Sequence, residues 1–257
     1  MSPAQRSLTS GVIQRCAFGL GLVLALAGVA AAQEQTTAID LSAMTPNAPP
    51  ANFLFGRTGQ GAPGQWVVVS EDTASRGIAI AQLSQDRTDY RFPLAIYQPT
   101  ILKNGTVSVR FKPVSGRIDQ AGGVAVRLAT PDDYYLVSAN ALEDNVRFYR
   151  VVKGRRQQLA GTNTKVASGV WHTLDLRADG SHFTVSFDGM QMFTADDTTF
   201  PEGGKVALWT KADSVTPFDR IELTSAPRIC RGRPLPFTLV RSPPAVPRNP
   251  CRRGSVC

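Results

Sequence analysis

Residues 105–111 read Gly-Thr-Val-Ser-Val-Arg-Phe, and this stretch decides the fold. Its apolar residues Val107, Val109 and Phe111 alternate with polar ones. Because successive side chains of a β-strand point to opposite faces, this alternation predicts a strand with one buried face and one polar face.

The same period of two recurs along the chain, for example at 174–177 and 183–187. The pair Asp188-Gly189 follows the second of these runs and favours a two-residue hairpin, whose turn residues need positive φ. Many short strands without a helical pattern between them predict one all-β domain over residues 51–226. The expected architecture is a two-sheet antiparallel sandwich of the jelly-roll type.

The first residues resemble an export signal. Arg6 and Arg15 precede the apolar run 17–32, which ends in small residues and fits cleavage after Ala32. The run has 16 residues, fewer than the roughly 20 that cross a bilayer as a helix. We therefore expect residues 1–32 to be a cleaved signal peptide. The mature chain is then secreted or periplasmic and has no transmembrane segment.

Two further segments have a different composition. Residues 33–50 show no sustained period and end in Pro49-Pro50, which predicts a linker. Residues 227–257 contain seven prolines and seven arginines but no acidic residue, which predicts a disordered basic tail. Three cysteines lie in this tail, so that two can pair and one is left over: Cys230, Cys251 and Cys257.

The positive charge of the chain lies mainly in its flanks. The whole sequence has a formal charge of +8, from 28 basic and 20 acidic residues. Residues 1–33 hold two of the basic residues and the tail holds seven, which leaves 19 against all 20 acids in residues 34–226. A nearly neutral domain is not expected to bind nucleic acid through its surface charge.

Several motifs follow one another in a familiar order. They are Gly122-Gly123-Val124-Ala125-Val126-Arg127, Asp133-Tyr134-Tyr135, Trp171-His172-Thr173-Leu174, Phe187-Asp188-Gly189, Gly204-Lys205-Val206-Ala207-Leu208-Trp209-Thr210 and Phe218-Asp219. This order resembles a concanavalin A-like, laminin G-like jelly roll from about Trp66 to Leu223.

Within that superfamily the chain is similar to bacterial exported domains grouped with 3-keto-disaccharide hydrolases and family 16 glycoside hydrolases. The resemblance implies a sugar ligand. The closing strand of the hydrolase group reads like G-x-I-x-L-Q-x-H-G, whereas residues 204–211 contain neither Gln nor His. This departure leaves the fold assignment intact and weakens the argument for catalysis by this chain.

The sequence offers little catalytic chemistry of its own. A retaining glucanase needs two carboxylates about 5 Å apart, which alternate positions of one strand could supply, and no such acidic run is present. The remaining candidates for a hydrolytic base are Glu143, beside Asp144, and His172, one of two histidines.

Calcium is a further candidate ligand. Asp213 and Asp219 flank the loop before the last strand and carry the hard oxygen ligands that a structural Ca²⁺ requires. Loop aspartates also form turns, which is the alternative interpretation.

Alternation along the strands predicts a binding face. If Val206 and Leu208 are buried, Trp209 points to the other side of its sheet. Aromatic rings there can stack on sugars while polar side chains bind the hydroxyls. The candidate ligand-binding residues are Arg127, Tyr135, Asn140, Arg147, Tyr149 and Trp209. In the alternative interpretation the three aromatic residues are core, because a shift of one residue in register inverts every assignment.

Three functions remain from the sequence. The first is an exported, non-catalytic sandwich that binds a glycan on one sheet face. The second is a hydrolase of glycosides or 3-keto-sugars, which two neighbouring sugar-facing carboxylates would favour. The third is an envelope module that binds another protein. The sequence does not fix the oligomeric state.

Overall fold

The computed structural model describes residues 34–226 of the 257-residue chain. The predicted signal peptide and the basic tail with its three cysteines lie outside the described residues. Within them the chain forms β1 (Gln35–Ala38), β2 (Phe53–Gly59), β3 (Trp66–Ser70), β4 (Ile78–Gln82), β5 (Arg91–Leu102), β6 (Gly105–Phe111), β7 (Ala121–Thr130), β8 (Asp133–Asn140), β9 (Asn145–Val152), β10 (Arg155–Asn163), β11 (His172–Asp179), β12 (His182–Phe187), β13 (Met190–Asp196), β14 (Gly204–Thr210) and β15 (Thr216–Ser225). In this part of the chain there is no helix long and apolar enough to span a membrane.

The strands form two antiparallel sheets, which confirms the predicted all-β sandwich. One sheet has eight strands, in the order β13-β12-β11-β6-β15-β4-β3, with β1 also paired to β15. The other has seven strands, in the order β10-β9-β8-β7-β14-β5-β2. Strands β5, β14, β7, β8 and β9 are therefore neighbours in space although they are spread along the chain.

The main hydrophobic core lies between the sheets. The alternating residues Val107, Val109 and Phe111 are fully buried there, as predicted. They belong to one cluster with Val124 and Leu208 of the seven-stranded sheet. Burial of these apolar side chains supplies most of the stability of such a sandwich.

Gly122 allows the two sheets to approach closely. A Cβ atom built at this position would lie 2.4 Å from Cδ2 of Phe111, a distance that real Cβ atoms do not adopt. The glycine pair in the motif at 122–123 therefore has a packing reason in this fold.

The hairpin predicted at Asp188-Gly189 is confirmed. It joins β12 to β13, and the two residues have φ values of 49° and 79°. Both lie in the left-handed region that this type of turn requires.

The segment expected as a linker, residues 33–50, contributes instead to the sandwich. Its strand β1 pairs with residues 222–225 of β15, and the next residues place Ile39 and Leu41 in the main core, 8% and 4% exposed. Sequence reasoning missed this strand because it has only four residues, all of them exposed, so it shows no apolar alternation.

A second hydrophobic cluster covers the opposite side of the seven-stranded sheet. We call this side the outer face. Its buried members come from β5, β7, β8, β9 and β14, and they include Phe92, Leu94, Tyr134, Leu136 and Trp209. A sheet face that is apolar but not covered by the other sheet is where a ligand site can form.

Candidate functional site

Aromatic side chains line the floor of the outer face. The rings of Phe92 and Trp209 stack with their centroids 5.5 Å apart and an interplanar angle of 16°. Trp209 is only 1% exposed, whereas Tyr149 on β9 is partly buried and packs against this cluster. Tyr149 therefore presents the aromatic surface that is accessible from solvent, and Trp209 lies beneath it as part of the floor.

A polar pocket lies beside these rings. Asp119, which is fully buried, accepts a hydrogen bond of 2.6 Å from Nδ2 of Asn140 and forms an ion pair with Nζ of Lys211. Tyr149 and Trp209 also line the pocket, whose volume is about 30 Å³. A space of this size holds a water molecule or a single hydroxyl group, so a whole sugar ring would lie above it.

The charges of the pocket are nearly balanced. Burial raises the pKa of Asp119 above its usual value, while the hydrogen bond and positive charge of Lys211 act in the opposite direction. Glu143 lies at the rim, with its side chain 53% exposed and Oε1 3.9 Å from Nζ of Lys211. Its other oxygen accepts a 2.7 Å hydrogen bond from Nδ2 of Asn145. Nζ of Lys211 also lies 3.8 Å from Oδ1 of the exposed Asp89, so that the lysine contacts three carboxylates at once.

Arg156 on β10 extends over the aromatic floor. Its guanidinium carbon lies 4.5 Å from the ring centroid of Tyr149 and 4.8 Å from that of Phe92. The side chain also lines the polar pocket. The outer face thus combines aromatic surface, a hydroxyl-sized polar pocket and a cation within a small area.

Known proteins resemble this chain in sequence and in fold. The family model of the galactocerebrosidase C-terminal lectin domain matches residues 89–226. The chain belongs to that family. The match begins before β5 and extends through β15, so it includes every strand that contributes to the outer-face site.

Solved structures have a similar fold. The carbohydrate-binding module CBM66 from Bacillus subtilis is 20% identical, with a TM-score of 0.51 over 65% of this chain and 95% of that one. A protein of unknown function from Shewanella oneidensis is 15% identical, with a TM-score of 0.51 over 79% of this chain and 91% of that one. No curated protein sequence matches the chain. The concanavalin A-like fold expected from the motifs is confirmed.

Four of the six predicted ligand-binding residues lie on the outer face. Asn140, Arg147 and Tyr149 follow one another across the β8–β9 ladder, and Trp209 lies opposite Gly123 in the ladder between β14 and β7. The side chain of Asn140 already has hydrogen-bond partners within the protein. Its Oδ1 atom accepts a hydrogen bond from the backbone N–H of Leu142, and its Nδ2 atom donates one to Asp119. Only Arg147 and Tyr149 of these four are substantially accessible.

Arg127 does not lie on the predicted face. A register shift between Val126 and Thr130 interrupts the alternation of β7, and Arg127 has a φ of 49° at this bulge. The side chain is 2% exposed and donates hydrogen bonds to the carbonyl oxygens of Lys103 (3.0 Å) and Phe200 (2.9 Å). Arg127 therefore ties loops together and is not available to a ligand.

Tyr135 belongs to the core between the sheets. It is fully buried, stacks on Phe148 and donates a 2.6 Å hydrogen bond to Oδ1 of Asp197. Burial, with the neighbouring carboxylate, raises the pKa of Tyr135 to about 12. The alternative interpretation of this residue as core is the correct one.

The two candidate catalytic residues are separated. Glu143 lies at the polar pocket of the outer face, whereas His172 is 6% exposed on the eight-stranded sheet. The ring nitrogens of His172 contact Oδ2 of Asp188 at 2.7 Å and the Ala167 carbonyl at 3.0 Å. His172 therefore holds the β12–β13 hairpin and has no role at this pocket.

The two candidate calcium ligands are also separated. Asp213 accepts the backbone N–H groups of residues 117–119, at 2.8 to 3.1 Å. Asp219 accepts the backbone N–H of Ser75 at 2.6 Å and lies 3.4 Å from Arg110. They share no partner. Among residues 34–226 no group of three or more His, Cys, Asp or Glu side chains is arranged to hold a metal ion.

Sequence reasoning missed three important residues of the site: Asp119, Arg156 and Lys211. Asp119 and Lys211 lie just outside strands β7 and β14, where alternation gives no assignment. The sequence does contain a signal for Arg156. Between Asp144 and Asp175 the chain has six basic residues and no acidic one, which marks this stretch as positively charged.

Proposed function

We propose that this protein is an exported carbohydrate-recognition domain that binds a glycan on the outer face of the seven-stranded sheet without catalysis. One observation carries the proposal: an aromatic floor and a polar pocket lie side by side on a face that the other sheet leaves uncovered. Membership of a lectin-domain family supports a sugar as the ligand. The apolar run at 17–32 supports export.

The geometry suits a saccharide for a physical reason. The C–H groups of a sugar ring stack on aromatic surface, and its hydroxyl groups need hydrogen-bonding partners. Tyr149 offers the surface, while Lys211 and the exposed carboxylate of Glu143 offer the partners. One hydroxyl enters the pocket and the ring lies over Tyr149.

Replacement of Tyr149 tests the location of the site. Tyr149→Ala should lower glycan affinity about tenfold or more, because a central aromatic contact dominates such an interface. The measurement is a glycan-array screen of the purified chain, followed by titration of the best ligand. Trp171→Ala is the matched control, since Trp171 directly precedes β11 of the eight-stranded sheet and its ring contacts Arg110 and Lys112. Equal losses in both variants, or loss only in the control, would place binding elsewhere.

Glycoside hydrolysis is a second candidate because Asp119 and Glu143 both contact Lys211, and two nearby carboxylates are the usual requirement. The burial of Asp119 favours binding, since its oxygens are engaged by Asn140 and Lys211. We expect no sugar release from glycosides or 3-keto-disaccharides above the level of a Glu143→Gln variant. Turnover that disappears in Glu143→Gln would instead show that the domain is a hydrolase.

A further inference from the structure

The β9–β10 hairpin carries a run of basic residues that no acidic residue interrupts. Residues 34–226 are nearly neutral, yet the stretch between Asp144 and Asp175 has six basic residues and no acidic one. Five of the six lie on the hairpin or its turn: Arg147, Arg150, Lys153, Arg155 and Arg156. Among the described residues only Arg150 of these five forms an ion pair, with Asp197 at 2.8 Å.

Arg156 brings this charge to the binding face. Its guanidinium lies over the rings of Tyr149 and Phe92 and lines the polar pocket. No carboxylate or other hydrogen-bond acceptor of residues 34–226 engages it. Of the two acids that line the pocket, Asp119 is already paired with Lys211 and Asn140.

The charges of the face leave two guanidinium groups without a carboxylate partner. The three acids Asp89, Asp119 and Glu143 all lie within 3.9 Å of Nζ of Lys211. Arg156 forms no ion pair among the described residues, and the guanidinium of Arg147 donates only to Asn163 and a backbone carbonyl. A guanidinium held over aromatic rings presents a planar set of N–H donors that matches a carboxylate or sulfate group. A neutral hydroxyl group makes weaker use of the same donors.

We propose that the site selects a saccharide with an anionic substituent, a carboxylate or a sulfate, and that Arg156 binds this group. The proposal rests on the proposed function, because it adds a ligand class to the same face. Tyr149 and Phe92 orient the guanidinium, and Lys211 reduces the repulsion that the neighbouring carboxylates exert on the ligand.

Paired ligands test the proposal on the full chain. One pair is trigalacturonate and its methyl ester, which removes the charge of a uronic acid. The other pair is a sulfated galactose oligosaccharide and its desulfated form. Titration calorimetry should show about tenfold or greater preference for the charged member of at least one pair, and the pair that shows it identifies the anionic group.

Variants at the neighbouring positions 155 and 156 distinguish a direct contact of Arg156 with the anionic group from a general attraction by the positive charge of the hairpin. Arg156→Gln should lower the affinity for the charged ligand about tenfold and bring the ratio of charged-ligand to neutral-ligand affinity close to one. Arg156→Lys should give a similar loss, because it retains the charge but not the planar fork. Arg155→Gln is the matched control, an exposed residue whose side chain faces the opposite side of β10, and it should change affinity less than about twofold. Melting temperatures confirm that each variant is folded.

Each of the other outcomes would overturn either the role of Arg156, the anionic specificity or the proposed function. Equal losses in Arg156→Gln and Arg155→Gln would mean that the hairpin attracts anions only through its total charge, which overturns the role of Arg156. Equal affinity for charged and neutral ligands would overturn the anionic specificity and leave the proposed function intact. Absence of binding to every saccharide on a broad array would overturn both.

Discussion

Asp213 shows how a single residue prepares the site without touching a ligand. Its carboxylate accepts three successive backbone N–H groups, including that of Asp119. These bonds fix the turn that brings the Asp119 side chain to Asn140 and Lys211. The residue that composition marked as a calcium ligand is in this structure the acceptor that orders a loop.

This role predicts a pH-dependent contribution to stability. Burial opposes ionisation of Asp213, but the hydrogen bonds from Arg117, Asp119 and Ile118 outweigh it and hold the pKa below its usual value of 3.8. A lowered pKa in the folded state means that the stabilisation is fully present above the ordinary value and is lost as the pH falls through the folded one. Asp213→Asn should destabilise the domain by about 1–3 kcal/mol at pH 7, since one amide oxygen cannot accept all three bonds.

Thermal unfolding of both proteins between pH 7 and pH 2 provides the measurement. The difference in melting temperature between the wild type and Asp213→Asn should be greatest at neutral pH and should shrink below about pH 4. A difference that stays constant over this range would show that the ionised carboxylate is not what orders the loop.

At the scale of elements, alternation predicts faces well until a bulge interrupts it. It placed Val206 and Leu208 in the core and Trp209 on the outer face, as the structure shows. It failed for Arg127, because a bulge after Val126 changes the parity of β7. An arginine at positive φ carries no compositional signal, in contrast to a glycine, so the sequence could not reveal the bulge.

The residues after β1 contribute to the main hydrophobic core, whereas those of β1 itself are exposed. Leu41 is 4% exposed in the main core, and Leu41→Ala should cost about 2–4 kcal/mol of unfolding free energy. Leu54→Ala is the matched control, since Leu54 on β2 is 61% exposed and should change stability by less than about 0.5 kcal/mol. Denaturant unfolding measures both, and similar small effects would mean that residues 39–41 do not belong to the folded domain.

At the scale of the whole molecule, the sequence predicted the class of fold and could not assemble the site. The period of two and the turn signals were sufficient for an all-β sandwich. Asp119, Glu143, Arg156 and Lys211 are separated by up to 92 positions in the chain, and they meet because β14 pairs with β7 and the β8–β9–β10 meander follows it. Strand order of this kind depends on long-range packing, which a local pattern does not encode.

The open edges of the two sheets have a consequence for association between copies. β10 and β13 are edge strands, and each has an irregular register with its partner, at Gln158/Ala160 in one case and opposite Val185/Ser186 in the other. A bulged edge makes a poor template for an incoming strand, and the arginines of β10 add repulsion between identical edges. The same hairpin that offers charge to a ligand therefore disfavours strand addition at the β10 edge of its sheet.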